Sequence, residues 1–380
     1  MFPVYLDCNA TTPLEPAVLD VVRRLMEVDF GNAGSRTHEY GATALRAVQV
    51  ARDQVARVIG ASREDVIFTS GATESNNLAV LGLAPYGERE GRRHVVTTAI
   101  EHKAVLEPVA YLGEHGFEVT IVSPTAGGWV DPDAIRQAMR TDTLLVSVMH
   151  ANNETGVVQP IEQIATVLGD HPAYLHVDAA QGFGKDLHGL RADRIDMVSV
   201  SGHKLFAPKG IGALIARRRA RRRPPIAPLI RGGGQERGMR AGTLPVMLLA
   251  GLGLACELAV RDAVSRRTRC EELRHQALAA FAPLDAAING EPGRTLAHVL
   301  NVSFPGVDSE AAMVALKGIV ALSNGSACTS HSYEPSHVLK AMGLDASRIA
   351  GALRFSWCHL TPTPDWEAIA ARLRAIRASA

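Results

Sequence analysis

Lys204 closes the tetrad Ser201-Gly202-His203-Lys204, and upstream of it Asp178 closes the apolar run Tyr174-Leu175-His176-Val177-Asp178. A lysine amine can hold an aldehyde cofactor as a Schiff base. A carboxylate can keep a pyridine nitrogen protonated, so that the ring withdraws electrons from a substrate's α-carbon. The pair points to pyridoxal 5'-phosphate. Singly, such a lysine is more often a solvated strand end and such an aspartate a turn former, so the surrounding residues carry the reading.

Ser70-Gly71-Ala72-Thr73-Glu74-Ser75-Asn76-Asn77 joins a strand to a helix through small residues, and a helix N-terminus of this kind suits a phosphate. Such a turn is by itself usually only a cap. The loop from Gly232 to Thr243 offers similar backbone access plus the Thr243 hydroxyl, but lacks the Gly-Lys-Ser/Thr ending of a nucleotide P-loop. His102, Asn153 and Gln181 each follow a predicted strand. An imidazole can stack on a flat ring and move protons, and amides can hydrogen-bond a ring hydroxyl without adding charge. Alone, each reads as a cap or a satisfied polar residue; together at strand ends they outline a cofactor site.

Cys328, in Ser323-Asn324-Gly325-Ser326-Ala327-Cys328-Thr329-Ser330, has a small, polar setting that a reactive thiol needs, which Cys8, Cys256, Cys270 and Cys358 lack. Arg354, flanked by strand-like residues, requires a carboxylate partner if it faces inward and is otherwise a surface arginine.

These residues need a scaffold that brings strand ends together. Short Val- and Ile-rich runs alternate with helix-like stretches: 66–68, 95–97, 119–122, 144–148, 174–177, 198–200 and 211–215. That rhythm predicts an α/β fold with a mainly parallel sheet, whose strand carboxyl ends gather ligands. Helix signals occur at 73–80 and at Asp131-Pro132, where proline suits the first helical position. A long helical stretch from Leu244 to about Leu278 reads as a connector. The expected division is a large domain over 15–255 and a smaller α+β domain over 256–380, with residues 1–14 returning to pack on the latter.

The 380 residues are 47% apolar, enough for two cores. Lys plus Arg number 40 against 39 Asp plus Glu, so no overall field attracts nucleic acid or an anionic membrane. The run Arg217-Arg218-Arg219-Ala220-Arg221-Arg222-Arg223 reads as a solvated turn, with docking to an acidic protein or a phosphate backbone as the functional alternative. Direct nucleic-acid binding is not expected. The longest near-apolar run, Leu244 to Cys256, falls well short of the ~20 residues that span a bilayer, and the N-terminus does not read as a secretory signal. Five scattered cysteines have no metal-type spacing and fit a reducing cytoplasm.

The chain closely resembles the cysteine desulfurases, the NifS/IscS-like branch of the class V aminotransferases, which have the fold of type I pyridoxal-phosphate transferases. The match runs through Tyr5-Leu6-Asp7, Ala10-Thr11-Thr12-Pro13, Thr69 to Asn76, Glu101-His102-Lys103, Val177-Asp178, Ser201-Gly202-His203-Lys204 and Gly238-Met239-Arg240. The Gly-Ser-Ala-Cys-Thr-Ser segment resembles the first of the family's two groups.

The resemblance implies that Lys204 is the Schiff-base lysine, Asp178 the pyridinium partner, His102 the stacking residue and Gln181 the ring-hydroxyl partner. Asn153 is implied to touch ring or substrate. Ala72, Thr73, Ser201 and His203 would hold the phosphate, Thr243 would reach it from the neighbouring subunit of a homodimer, and Arg354 would bind the substrate carboxylate. L-Cysteine would be converted to L-alanine, with a persulfide on Cys328 that passes to an acceptor protein; His102 is the candidate base for that thiol.

Gly31-Asn32-Ala33 departs from the usual Gly-Asn-Pro, and Asn324 replaces a serine. Members serving iron-sulfur scaffolds often carry a longer C-terminal tail, so a more specialised acceptor is expected. The chain also resembles the DndA-type desulfurases of DNA phosphorothioation. Alternatives are an iron-sulfur or tRNA-thiolation sulfur donor, a selenocysteine lyase or aminotransferase of the same fold, and a non-catalytic sulfur carrier.

Overall fold

Each of the seven apolar runs forms a strand of one sheet, in a computed structural model that describes residues 3–219, 221–324 and 335–379. After the short N-terminal strand β1 (Val4–Tyr5) come β2 (Val66–Thr69), β3 (His94–Thr98), β4 (Glu118–Val122), β5 (Thr143–Met149), β6 (Tyr174–Asp178), β7 (Met197–Ser201) and β8 (Gly212–Ala216). Their order is β2-β8-β7-β6-β5-β3-β4, and β8 alone runs against its neighbours. Every residue of β2, β3, β5, β7 and β8 is buried, as expected of strands covered on both faces. The parallel strands therefore all end at the same edge.

The apolar run after Leu244 forms the helix Val246–Arg261, which packs along the helix Glu39–Val58. Gly253 permits this: a Cβ there would lie 2.6 Å from the Ala51 Cα. The connector is not one helix. It breaks at Asp262, before the helix Ala263–Phe281. The core changes at the same point, since Leu258 and Ala259 belong to the large core and Cys270, Leu273 and Phe281 to a second one.

That second core covers a three-stranded antiparallel sheet made by β9 (Ala287–Ile288), β10 (Val299–Ser303) and, after the short β11 (Val320–Ala321), β12 (Ala352–Ser356). Phe281 packs edge-on against Phe304 and Trp366, with ring centroids 5.3 and 5.9 Å apart. β1 pairs in parallel with β11, Leu6 is buried in this core, and Asp7 bridges to Ser356. The N-terminal segment is thereby tied to the second core before it runs on to the strand ends of the large sheet.

The arginine run is not a freely solvated turn. Arg217 donates to the carbonyls of Ile59, Leu190 and Ala192, Arg219 pairs with Asp196 at 3.5 Å and lies over the Tyr174 ring, and Arg223 donates to the Glu64 carbonyl. Much of the run's positive charge is spent on holding the chain to itself. Among the described residues, no helix is long and apolar enough to cross a membrane.

The loop 232–243 is clamped to β2. Glu236 and Arg237 both have positive φ, which for non-glycine residues costs roughly 1–2 kcal/mol each. The conformation is held by the buried carboxylate of Glu236, which accepts from Arg52 at 2.5 and 2.8 Å and from the Phe68 amide at 2.8 Å. Removing one partner leaves the other charge buried, so Arg52→Ala should lower the unfolding free energy by about 3–5 kcal/mol. Arg52→Met combined with Glu236→Gln, which keeps an acceptor for Phe68, should cost much less in urea denaturation. Equal losses would mean that packing, not the stranded charge, sets the cost.

Candidate active site

Ten residues singled out from the sequence, Ala72, Thr73, His102, Asn153, Asp178, Gln181, Ser201, His203, Lys204 and Arg354, line one cavity of ≈ 530 Å³. It opens where β2, β6 and β7 end, with β12 of the second core contributing Arg354.

Asp178 ends β6 with both carboxylate oxygens held: Asn76 Nδ2 donates to Oδ2 at 2.7 Å, and the Ala180 amide donates to Oδ1 at 3.0 Å. Lys204 stands on a single turn after β7. Gly202 makes this turn possible, because a Cβ there would lie 2.9 Å from the Ile211 carbonyl oxygen. Lys204 Nζ donates to the carbonyls of Asn9 and, at 2.8 Å, Ala10. Gln181 Nε2 donates to the same Asn9 carbonyl at 3.1 Å, while its buried Oε1 has no hydrogen-bond partner. Asn9 Nδ2 in turn donates to the Asn153 carbonyl at 3.0 Å.

The helix Ala72–Leu81 starts at the cavity with Gly71 as its cap residue and no side-chain cap, which leaves the first-turn amides of Ala72 and Thr73 available. Ser201 and His203 line the same end. His203 Nδ1 lies 3.2 Å from Thr11 Oγ1; burial first, then the positive charges of Lys204, Lys209 and Lys185, push its pKa down to about 4.

Arg354 is buried and, as an inward-facing arginine requires, has a carboxylate partner: Nη2 donates to Asp7 Oδ1 at 2.6 Å. Nη1 donates to the Asn153 carbonyl at 3.0 Å, and Nε has no hydrogen-bond partner.

His102 caps the helix Lys103–Glu114, its Nδ1 accepting from the Ala104 amide at 3.1 Å. Burial, helped by the charges of Lys204 and His337, lowers its pKa. With Nδ1 occupied as an acceptor, the proton of the neutral ring sits on Nε2. In this state Nε2–H can donate a hydrogen bond into the cavity that His102 lines.

Thr243 is exposed and does not line its own chain's cavity, and its loop is held outside by Arg240, which pairs with Glu74 at 2.9 Å. Cys328 lies in 325–334, outside the described residues. Its flanks are anchored at the cavity wall: the Arg354 amide donates to the Ser323 carbonyl at 2.7 Å, Ser336 donates to the buried Glu154 carboxylate, and His337 Nε2 lies 3.0 Å from the Glu101 carbonyl.

The model of class V aminotransferases matches residues 4–368. The chain belongs to that family. It is 44% identical over 357 residues to the cysteine desulfurase IscS of Shewanella baltica, covering 93% of this chain and 87% of that protein. A solved NifS-like protein superposes with a TM-score of 0.89 at 35% identity, covering 100% of this chain and 99% of that one. The structure of DndA from Streptomyces lividans gives 0.82 at 49% identity, covering 93% of this chain and 99% of that one.

The chain is a pyridoxal-phosphate-dependent cysteine desulfurase, which takes sulfur from L-cysteine and passes it to an acceptor protein. The cavity fits the cofactor: a lysine amine, a carboxylate with both oxygens held, an unpartnered amide oxygen on Gln181 and an uncapped helix start all face it.

Asn9 and Asn76 are functional residues that reasoning from the sequence passed over. Asn76 lies inside the Thr69 to Asn76 motif and Asn9 between Asp7 and Ala10, but only the register of the fold shows what they hold.

Acid should destabilise this end of the sheet. His176, two residues before Asp178, is fully buried between the Ser147 and Ser199 hydroxyls, and burial lowers its pKa to about 4. The unfolded chain then binds more protons below the ordinary histidine value, so stability is full above pH ~6.5 and is lost as pH falls toward 4, by about 3 kcal/mol for His176 alone. Buried Glu101, raised to about 8, works in the opposite sense as pH falls from about 8 toward its ordinary value. Because Glu101 offsets His176 over part of this range, the test is a difference: in urea denaturation between pH ~6.5 and ~4, His176→Asn should lose about 3 kcal/mol less stability than the wild type. An unchanged slope in the variant would contradict the assignment.

Proposed function

We propose that the cavity residues divide the desulfurase reaction as follows. Arg354, half committed to Asp7 and with a free Nε, binds the substrate carboxylate. Lys204 Nζ, which donates to the Asn9 and Ala10 carbonyl oxygens, would move the substrate's α-proton. With the cofactor bound, Asp178 would meet its ring nitrogen, Gln181 and Asn153 would hydrogen-bond its polar edge, and Ala72, Thr73, Ser201 and His203 would hold its phosphate at the open helix start. The bound cofactor supplies the electron sink that stabilises negative charge on the substrate's α-carbon.

Cys328 takes the substrate sulfur as a persulfide, and L-alanine leaves. Anchoring of both flanks beside Arg354 and His102 supports this: Cys328 is five residues from Ser323, a reach of roughly 17 Å at full extension. His102 Nε2–H offers a hydrogen bond to the departing product side.

The protein acts as a homodimer, with Thr243 presented to the partner's cavity. Exposed apolar side chains on or just after the helix Pro16–Glu27 and on the helix Glu39–Val58, including Met26, Phe30, Tyr40 and Val50, support a covered face. Four described cysteines that are all free support a reducing, cytoplasmic setting. The acceptor belongs to DNA phosphorothioation, a reading supported by the identity to DndA, 49% against 44% for the IscS relative.

The observation that carries the reaction is the joining of Lys204, Asp178 and Arg354 in one cavity. Wild-type protein should release alanine from L-cysteine, and Cys328→Ala should release none while keeping the cofactor's visible absorbance. Alanine from the variant would favour a lyase that needs no thiol. Arg354→Gln should lower kcat/KM for L-cysteine by roughly 100-fold, the loss expected of a buried charge-assisted contact.

A further inference from the structure

Cys8 and Cys358 form a second thiol site, apart from Cys328. Cys8 follows Asp7 in the N-terminal segment, where its amide donates to the Ser356 carbonyl at 3.0 Å, and Cys358 lies just past β12. The two side chains pack together with Phe206 in a small cluster of their own. Both are free and buried, but both border an open cavity of ≈ 340 Å³ that also touches Tyr5 and Pro362. A separate narrow cavity on the other side brings Lys185, His298 and Cys270 to Cys358.

The neighbours make the two thiols unequal. Cys358 Sγ accepts from Thr361 Oγ1 at 3.5 Å; the neighbouring Cys8 first, and then Thr361, lower its pKa. The Cys8 thiol is pushed up, first by its bond to Cys358 and then by burial. Lys185 is half-buried, with Nζ 3.3 Å from His298 Nε2. Two thiols packed together at the wall of an open cavity are placed to close into a disulfide on oxidation.

We propose that Cys8 and Cys358 are a redox modification site that forms a reversible disulfide with a hydroperoxide. The Cys358 thiolate attacks one peroxide oxygen; the O–O bond breaks and the leaving oxygen takes a proton, giving a sulfenic acid on Cys358. The Cys8 sulfur then attacks the Cys358 sulfur. The S–S bond forms, the S–O bond breaks, and hydroxide leaves as water with the Cys8 proton. The two sulfurs together lose two electrons and the peroxide gains them.

The bond falls one residue from Asn9, whose carbonyl receives both Lys204 and Gln181. It would cross-link the N-terminal segment to the chain after β12, on which Arg354 also lies.

The test uses the full-length holoprotein in a Cys328→Ala background, which removes the thiol proposed for catalysis and leaves Cys8, Cys256, Cys270 and Cys358. Hydrogen peroxide should abolish exactly a pair of titratable thiols, dithiothreitol should restore them, and peptide mapping should show Cys8 joined to Cys358. Cys8→Ser and Cys358→Ser should each prevent the paired loss, and Cys270→Ser should not. An unchanged thiol count, a link through Cys270, or irreversible oxidation of Cys358 alone would overturn the proposal.

Discussion

The Asn9 carbonyl oxygen accepts from Lys204 Nζ and from Gln181 Nε2, while the Asn9 side chain holds the Asn153 carbonyl. One peptide unit thus sets the position of three cavity residues drawn from separate turns of the large sheet. It can do so only because residues 4–8 are tied elsewhere, by the pairing of β1 with β11 and by the Asp7 bridge to Ser356. Asp7 also pairs with Arg354. The N-terminal segment is therefore the mechanical link between the core that carries the lysine and the core that carries the arginine.

Burial decides the charges around this link. An ionised group taken from water must find partners or change its protonation state. His203 and His176 take the second course, with pKa values near 4, while the Asp178 carboxylate has both oxygens hydrogen-bonded, by Asn76 and Ala180. Glu101, with one carboxyl oxygen lacking a hydrogen-bond partner, is raised to about 8 and so is largely protonated at neutral pH. The cavity keeps neutral imidazoles beside a lysine and a fixed carboxylate.

Much of this is legible in the sequence, for identifiable reasons. The strands show as short Val- and Ile-rich runs because they are buried on both faces, and the residues that end them fall at one edge because nearly all run parallel. The partner required of Arg354 follows from the cost of a buried guanidinium, but its identity, Asp7, depends on a bridge between residues 349 positions apart (356 minus 7). Asn9, Asn76 and the Asp262 break depend on tertiary register, to which local pattern is blind. The arginine run misleads for the same reason: its carbonyl and carboxylate partners come from remote loops.

The central claim is that Lys204, rather than the nearby Lys185 or Lys209, holds the cofactor opposite Asp178. Borohydride trapping of the purified holoprotein, followed by peptide mapping, tests it most directly. The trapped cofactor should appear on the peptide containing Lys204 and be lost in Lys204→Ala. A label on Lys185 or Lys209, or on no lysine of a protein that still releases alanine, would contradict the account.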